Sequence, residues 1–175
     1  MIRQVLTYPH PALKQPAAPV HSLDAQVLAA AADLVDTMRA HIRCVGLAAP
    51  QLGIGLRIVV VDVSNHPSAQ ASHGLLVLVN PLIVQTAGSE MGREGCQSLP
   101  EITVRVRRAK RILFEGTLLD GTRLRSVTSG FEARAILHEI DHLDGVLILD
   151  RAASPKEVFR RTTDLHESPG PGGQK

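Results

Sequence analysis

Two histidines four residues apart, in the run His138-Glu139-Ile140-Asp141-His142, constrain this chain more than any other stretch. On a helix, residues four apart lie one above the other on the same face. His138 and His142 can then aim two imidazoles at one metal ion. Glu139, one residue along, is placed to handle the proton of an activated water. The spacing is the H-E-x-x-H pattern of metal hydrolases. The rest of the chain must then supply a third ligand, a substrate pocket and somewhere to stabilise an oxyanion.

The flanks define that helix. Ser129 is a candidate N-cap, with Glu132 three residues on to complete a capping box. Ala133, Ile136, Leu137 and Ile140 supply an apolar face, and Gly145 suits a C′ stop. Upstream, Pro9, Pro11, Pro16 and Pro19 predict an extended arm over residues 1–21. Val27, Leu28, Ala31, Leu34, Val35, Met38 and Ile42 have helical spacing, so a helix is expected over 23–43 with Ser22 as its cap. The small residues from Cys44 to Gly53 predict a loop that lets backbone approach a ligand.

Arg57 to Val63 reads as a buried strand, followed by a polar loop over 64–74. Leu75 to Val84 is β-rich, with a bend or an edge at Asn80-Pro81. Residues 86–93 read as a loop and Ile102 to Val106 as a half-exposed strand. Asp120-Gly121 between two apolar runs is a hairpin signal. Val146 to Leu149 reads as a short strand, and the Pro/Gly-rich tail predicts disorder. Helix, strands, hairpin and then a central helix make this an α+β domain.

Composition narrows the function. A chain of 175 residues suits one domain. Its net charge of +2 and scarce aromatics argue against DNA or a base-stacking surface. Two cysteines, Cys44 and Cys96, do not make a disulfide framework. The first nine residues hold no apolar signal core, and no run is long enough to span a membrane, so the cytoplasm is expected. Arg105, Arg107, Arg108, Lys110 and Arg111 read as an exposed strand face, with ribosomal RNA or an acidic partner as the functional alternative. His10, His21, His41, His66, His73 and His166 lack a second ligand pattern and read as solvated. The candidate third ligand is Cys96, set between Gly95 and a polar Gln97-Ser98, and it would complete an N₂S set for zinc or ferrous iron. Spacing alone leaves Glu94 and Asp141 open.

Three segments stand together in the sequence: Gly46-Leu47-Ala48-Ala49-Pro50-Gln51, Glu94-Gly95-Cys96-Gln97-Ser98, and His138 through Gly145. Their identity and order resemble the three motifs of the peptide deformylases. Tyr8-Pro9-His10-Pro11-Ala12-Leu13 resembles that family's N-terminal segment, so the likeness covers roughly residues 2–155. It implies a small α+β domain over 1–163, with antiparallel or mixed sheets around a central helix, and a separate tail over 164–175. It also implies hydrolysis of the formyl group from N-formylmethionine on new polypeptides, with nascent chains at the ribosome as partners. The implied cofactor is one divalent ion, natively Fe²⁺, for which Zn²⁺, Ni²⁺ or Co²⁺ can substitute. Cys96, His138 and His142 would be its ligands and Glu139 the acid/base. The Gln51 side-chain amide and the Gln97 backbone N–H would hold the oxyanion. Gly46, with Cys44 and Leu47 beside it, would line the peptide cleft, and Arg108 would support the site with Glu94 as its charge partner.

The sequence departs from the family pattern at three positions: Cys44 for glycine, Gln97 for leucine and Leu137 for glutamine. The first two bear on substrate preference. Two alternatives follow: a paralogue that hydrolyses another N-acyl amide, and a weakly active or non-catalytic metal-containing binding protein. Intact Glu139 and Gln51 argue against the latter.

Overall fold

A computed structural model describes residues 1–70 and 72–161. In chain order the elements are α1 (Ala25–Ala40), β1 (Gly46–Ala48), β2 (Ile58–Val61), β3 (Leu76–Ala87), β4 (Glu90–Cys96), β5 (Leu99–Arg108), β6 (Arg111–Thr117), β7 (Arg123–Ser129), α2 (Gly130–Leu143) and β8 (Val158–Arg160). One sheet has the order β1-β2-β3-β6-β7 and the other β4-β5-β8. Every pairing between these strands is antiparallel.

β2 shows how the layers are held. Successive strand side chains point to opposite faces. Val59 and Val61 pack with Ala133, Ile136, Ile140 and Leu143 of α2. Ile58 and Val60 pack with Val27, Ala31, Leu34 and Met38 of α1. The five-stranded sheet is thus covered by a helix on each face. Full burial of such an aliphatic side chain contributes about 1.5–3 kcal/mol, so a strand buried on both faces anchors both layers. The smaller sheet closes over a third cluster of Leu13, Cys96, Leu99, Val104, Val106, Leu147 and Ile148. The expected α+β class, with sheets around a central helix, is the one found.

Several local expectations change. Helix α1 starts two residues later than expected, because Asp24 rather than Ser22 caps it, accepting from Val27 N at 2.9 Å. The stretch expected as a loop after α1 contains β1, which pairs Gly46–Ala48 with Val59–Val61, and a 3₁₀ turn over Ala49–Leu52. The loop expected over 86–93 is instead the end of β3, a two-residue link at 88–89 and the start of β4. β3 runs through Asn80-Pro81 by a bulge. Asn80, at φ 50°, exchanges side-chain hydrogen bonds of 2.9 and 2.8 Å with the backbone of Val20 and so fastens the N-terminal arm. Ser129 is the N-cap of α2 but makes no side-chain cap. Glu132 instead accepts from Thr128 Oγ1 at 2.6 Å and from His73 N at 2.7 Å, so the capping box does not form. Gly145, at φ 70°, does end α2, and a Cβ there would lie 2.7 Å from the Lys14 carbonyl oxygen. Val146 to Leu149 leads into a 3₁₀ turn over Ile148–Arg151 rather than a strand. The tail over 164–175 lies outside the described residues.

Candidate metal centre

Helix α2 sets the His138 and His142 rings edge to face with centroids 5.0 Å apart. Cys96 ends β4, and its Sγ lies 3.2 Å from His142 Nε2. One ligand atom from each of the three residues falls within 4.8 Å of the others. Bonds of about 2.0–2.3 Å to a tetrahedral ion require ligand atoms of this kind to sit roughly 3.5 Å apart. The two alternatives for third ligand are otherwise engaged. Glu94 accepts from Arg108 at 2.9 and 3.0 Å and from Arg134 at 2.8 Å, and it meets His138 Nδ1 at 3.0 Å. Asp141 accepts from Arg108 at 2.5 Å and from Arg151 at 2.5 and 3.0 Å.

The residues present fit a metal ion in three further respects. Burial works against the Cys96 thiolate, yet the neighbouring imidazoles hold the thiol well below its ordinary value. A thiolate is the form that binds metal. His138 is braced at Nδ1 by Glu94, which leaves Nε2 for the ion, the usual carboxylate–histidine arrangement around metals. Glu139 Oε2 is buried without any hydrogen-bond partner. His142 lacks the brace of its neighbour, and its Nδ1 is also buried without a partner.

Glu139 is 4% exposed, and burial pushes its carboxyl up to about 7, with Cys96 and Glu94 adding to the rise and both histidines opposing it. Gly46 makes room for it, because a Cβ there would lie 2.5 Å from Glu139 Oε1. Gln51 is fixed by its own turn. Its Oε1 accepts from Ala48 N at 2.9 Å, which turns Nε2 toward Ser98 Oγ at 3.1 Å and Cys96 Sγ at 3.6 Å. The arm reaches the same place, where Leu6 N donates to the Gln51 carbonyl and Tyr8 N to the Ser98 carbonyl.

A cavity of about 220 Å³ opens onto this cluster. Cys44, Gly46, Gln51, Glu94, Cys96, Gln97, His138 and Glu139 all line it. Leu47, expected to line the cleft, does not, because its side chain is buried in the α1 cluster on the other face of the sheet. Arg108, 6% exposed, lies behind the wall in its ion pairs.

Sequence reading missed Arg134, Phe131, Arg43, Arg93, Arg161 and His66, which also line the cavity. For Arg134 the signal was available: 134, 138 and 142 fall on one helical stripe. His66, expected to be solvated, stacks on Phe131 at a centroid distance of 3.9 Å. His73, also expected to be solvated, bonds Glu132 Oε2 at 2.7 Å and Ser126 Oγ at 2.8 Å. Arg105, Arg107, Lys110 and Arg111 are exposed, as a strand face predicts, but Arg108, expected on the same face, is buried because Glu94 and Asp141 draw its guanidinium inward.

Residues 2–158 match the family model described as polypeptide deformylase. The chain belongs to that family. The peptide deformylase of Dictyoglomus thermophilum is 44% identical over 152 residues, covering 87% of this chain and 94% of the relative. That of Syntrophomonas wolfei is 41% identical, covering 86% and 93%. Among solved structures, the peptide deformylase of Thermotoga maritima superposes with a TM-score of 0.79 at 35% identity, covering 88% of this chain and 99% of that one. The enzyme from Legionella pneumophila gives 0.81 at 34% identity, covering 90% and 89%. The deformylase likeness therefore spans both sheets, α2 and all three motifs.

Proposed function

We propose that the deformylase reaction of this chain runs through Cys96, His138 and His142 as ligands of one divalent ion, natively ferrous iron. The chain is a hydrolase that removes the formyl group from the N-terminal formylmethionine of new polypeptides. The observation that carries the assignment of roles is the convergence of a thiol, two imidazoles, a partnerless carboxylate and an anchored amide at the foot of one cleft. A divalent ion held there supplies Lewis acidity, polarising the formyl carbonyl and acidifying the attacking water.

The chain's own residues do the rest. Gly46 and the β1 backbone line the cleft along which the peptide lies. Glu139 takes the water proton at its carboxylate and passes it to the departing amine. Gln51 Nε2 and the Gln97 backbone N–H donate to the oxyanion that develops on the formyl oxygen, a contribution worth about 2.7–4 kcal/mol per donor in comparable sites. Formate and a free amino terminus result. Residues 1–163 act as the catalytic unit, in the cytoplasm, on chains emerging from the ribosome. No helix among the described residues is long and apolar enough to cross a membrane.

Cys44 and Gln97 favour a second reading, because both departures from the family pattern line the cavity. Cys44 donates to the Gly46 carbonyl at 3.1 Å. Burial, with Glu139 next in effect, pushes its thiol up to about 12, so it is a neutral wall group. Comparing formyl-Met-Ala with acetyl-Met-Ala on the iron-loaded protein decides between the readings. One added carbon in a tight pocket changes kcat/KM by about 10–200-fold, and the formyl peptide is expected to be ahead by that margin. A lead for the acetyl peptide would establish the paralogue instead.

A further inference from the structure

The cleft has more positive charge around it than deformylation of formylmethionine requires. Arg43, Arg93 and Arg161 line the same cavity as the metal cluster, and all three are exposed. None of them forms an ion pair with an acidic side chain among the described residues. The acids lining the cavity, Glu94 and Glu139, are buried, and Glu94 is already neutralised by Arg108 and Arg134. Arg93 and Arg161 rest on neighbouring groups instead. Arg93 lies over the Phe159 ring with its guanidinium carbon 4.1 Å from the centroid. Arg161 lies across Gly95, where a Cβ would collide with its Nη2. Arg43 takes a left-handed backbone conformation, φ 63°, at the turn between α1 and β1.

β1 and β4 are edge strands of their sheets. A peptide in the cleft between them is extended and advances about 3.3–3.6 Å per residue. The second and third residues of a formyl peptide therefore pass the cleft mouth while the formyl group is at the metal. We propose that Arg43, Arg93 and Arg161 form a subsite for acidic side chains, so that this deformylase favours formyl peptides with Asp or Glu at either of the two positions after formylmethionine. The proposal rests on the deformylase reading above. Nucleic acid phosphates are the other anionic class, but these arginines face the cavity that holds the metal cluster, whereas the exposed β5 arginines face outward.

The test compares kcat/KM for formyl-Met-Ala-Ser, formyl-Met-Asp-Ser, formyl-Met-Ala-Asp and formyl-Met-Ala-Lys on the iron-loaded full chain. An acidic residue is expected to lower KM by about two- to fivefold per arginine engaged, with kcat little changed, as for an exposed pair acting on ground and transition states alike. The acidic-to-neutral ratio should shrink between about 0.1 M and about 1 M salt, where the screening length falls from about 10 to about 3 Å. It should fall toward one in Arg43→Ala, Arg93→Ala and Arg161→Ala combined. Equal values for acidic and neutral peptides overturn the proposal, as does a preference that survives in the triple variant. Since formyl-Met-Ala-Ser is turned over in the same assay, loss of the charge preference is distinguishable from failure of the deformylase reading. Arginines that serve RNA instead would leave all four peptides alike in the variant and the parent.

Discussion

Glu139→Ala is expected to lower formate release from formyl-Met-Ala by about 10²–10⁴-fold while one metal ion per chain stays bound. The residue sits between His138 and His142 in sequence, on the helix that carries both. It is 4% exposed, and its Oε2 has no protein partner to release. Its removal therefore takes away a proton carrier without breaking a structural bond. Gly46 packs against its Oε1 side, so the substitution also opens space there. Glu139→Gln controls for that, because it keeps the volume and loses the base. Formate assays and metal analysis on the same preparations check the point. Normal formate release from either variant contradicts the assignment, and loss of the metal from both would make Glu139 a structural residue.

Glu94→Ala is expected to produce the largest loss of stability of any single change at the site. The carboxylate is buried, and it holds Arg108, Arg134 and His138 together. Burial alone would raise its pKa; His138 and Arg108 hold it well below the ordinary carboxylate range. Arg108 and Arg134 are 6% and 7% exposed, so deleting Glu94 strips a compensating charge from two cations that water barely reaches. Breaking a buried pair in this way costs about 3–5 kcal/mol. In a chain of this length that corresponds to a fall in Tm of roughly 6–20 °C. His138 also loses its Nδ1 brace, which weakens metal affinity by about 10–100-fold. Thermal unfolding of metal-free protein isolates the first effect and metal titration the second. An unchanged Tm would mean that the two arginines find other partners.

Much of the site was legible because its chemistry depends on spacing. His138 and His142 are four apart, and Gly145 ends their helix where a left-handed residue is needed. The Asp120-Gly121 hairpin was marked by its turn residues. What stayed hidden was set by distant contacts. Gly46-Leu47-Ala48 has no β-branched residue, and it is a strand because β2 offers it a partner. β4 contains two glycines that look like loop residues, yet they sit where Arg134 and Arg161 cross the strand. Glu132 had the right offset for a capping box, but His73 and Thr128, remote or adjacent in sequence, claimed its oxygens. Arg134 was passed over as one polar residue in an amphipathic helix, although its place on the ligand stripe brings it to the same cavity.

In the mechanism proposed above, one ion held by Cys96, His138 and His142 drives formyl hydrolysis. That mechanism is tested most directly by stripping the metal from the protein and restoring ferrous iron in sub-stoichiometric steps under reducing, oxygen-free conditions, with formate release from formyl-Met-Ala measured at each step. Activity is expected to be absent at the start, to rise in proportion to added iron, and to level off at one equivalent per chain. Cys96→Ser is expected to hold the ion poorly and to stay inactive over the same range. Full formate release from metal-free protein, or from Cys96→Ser with undiminished iron, would contradict the account.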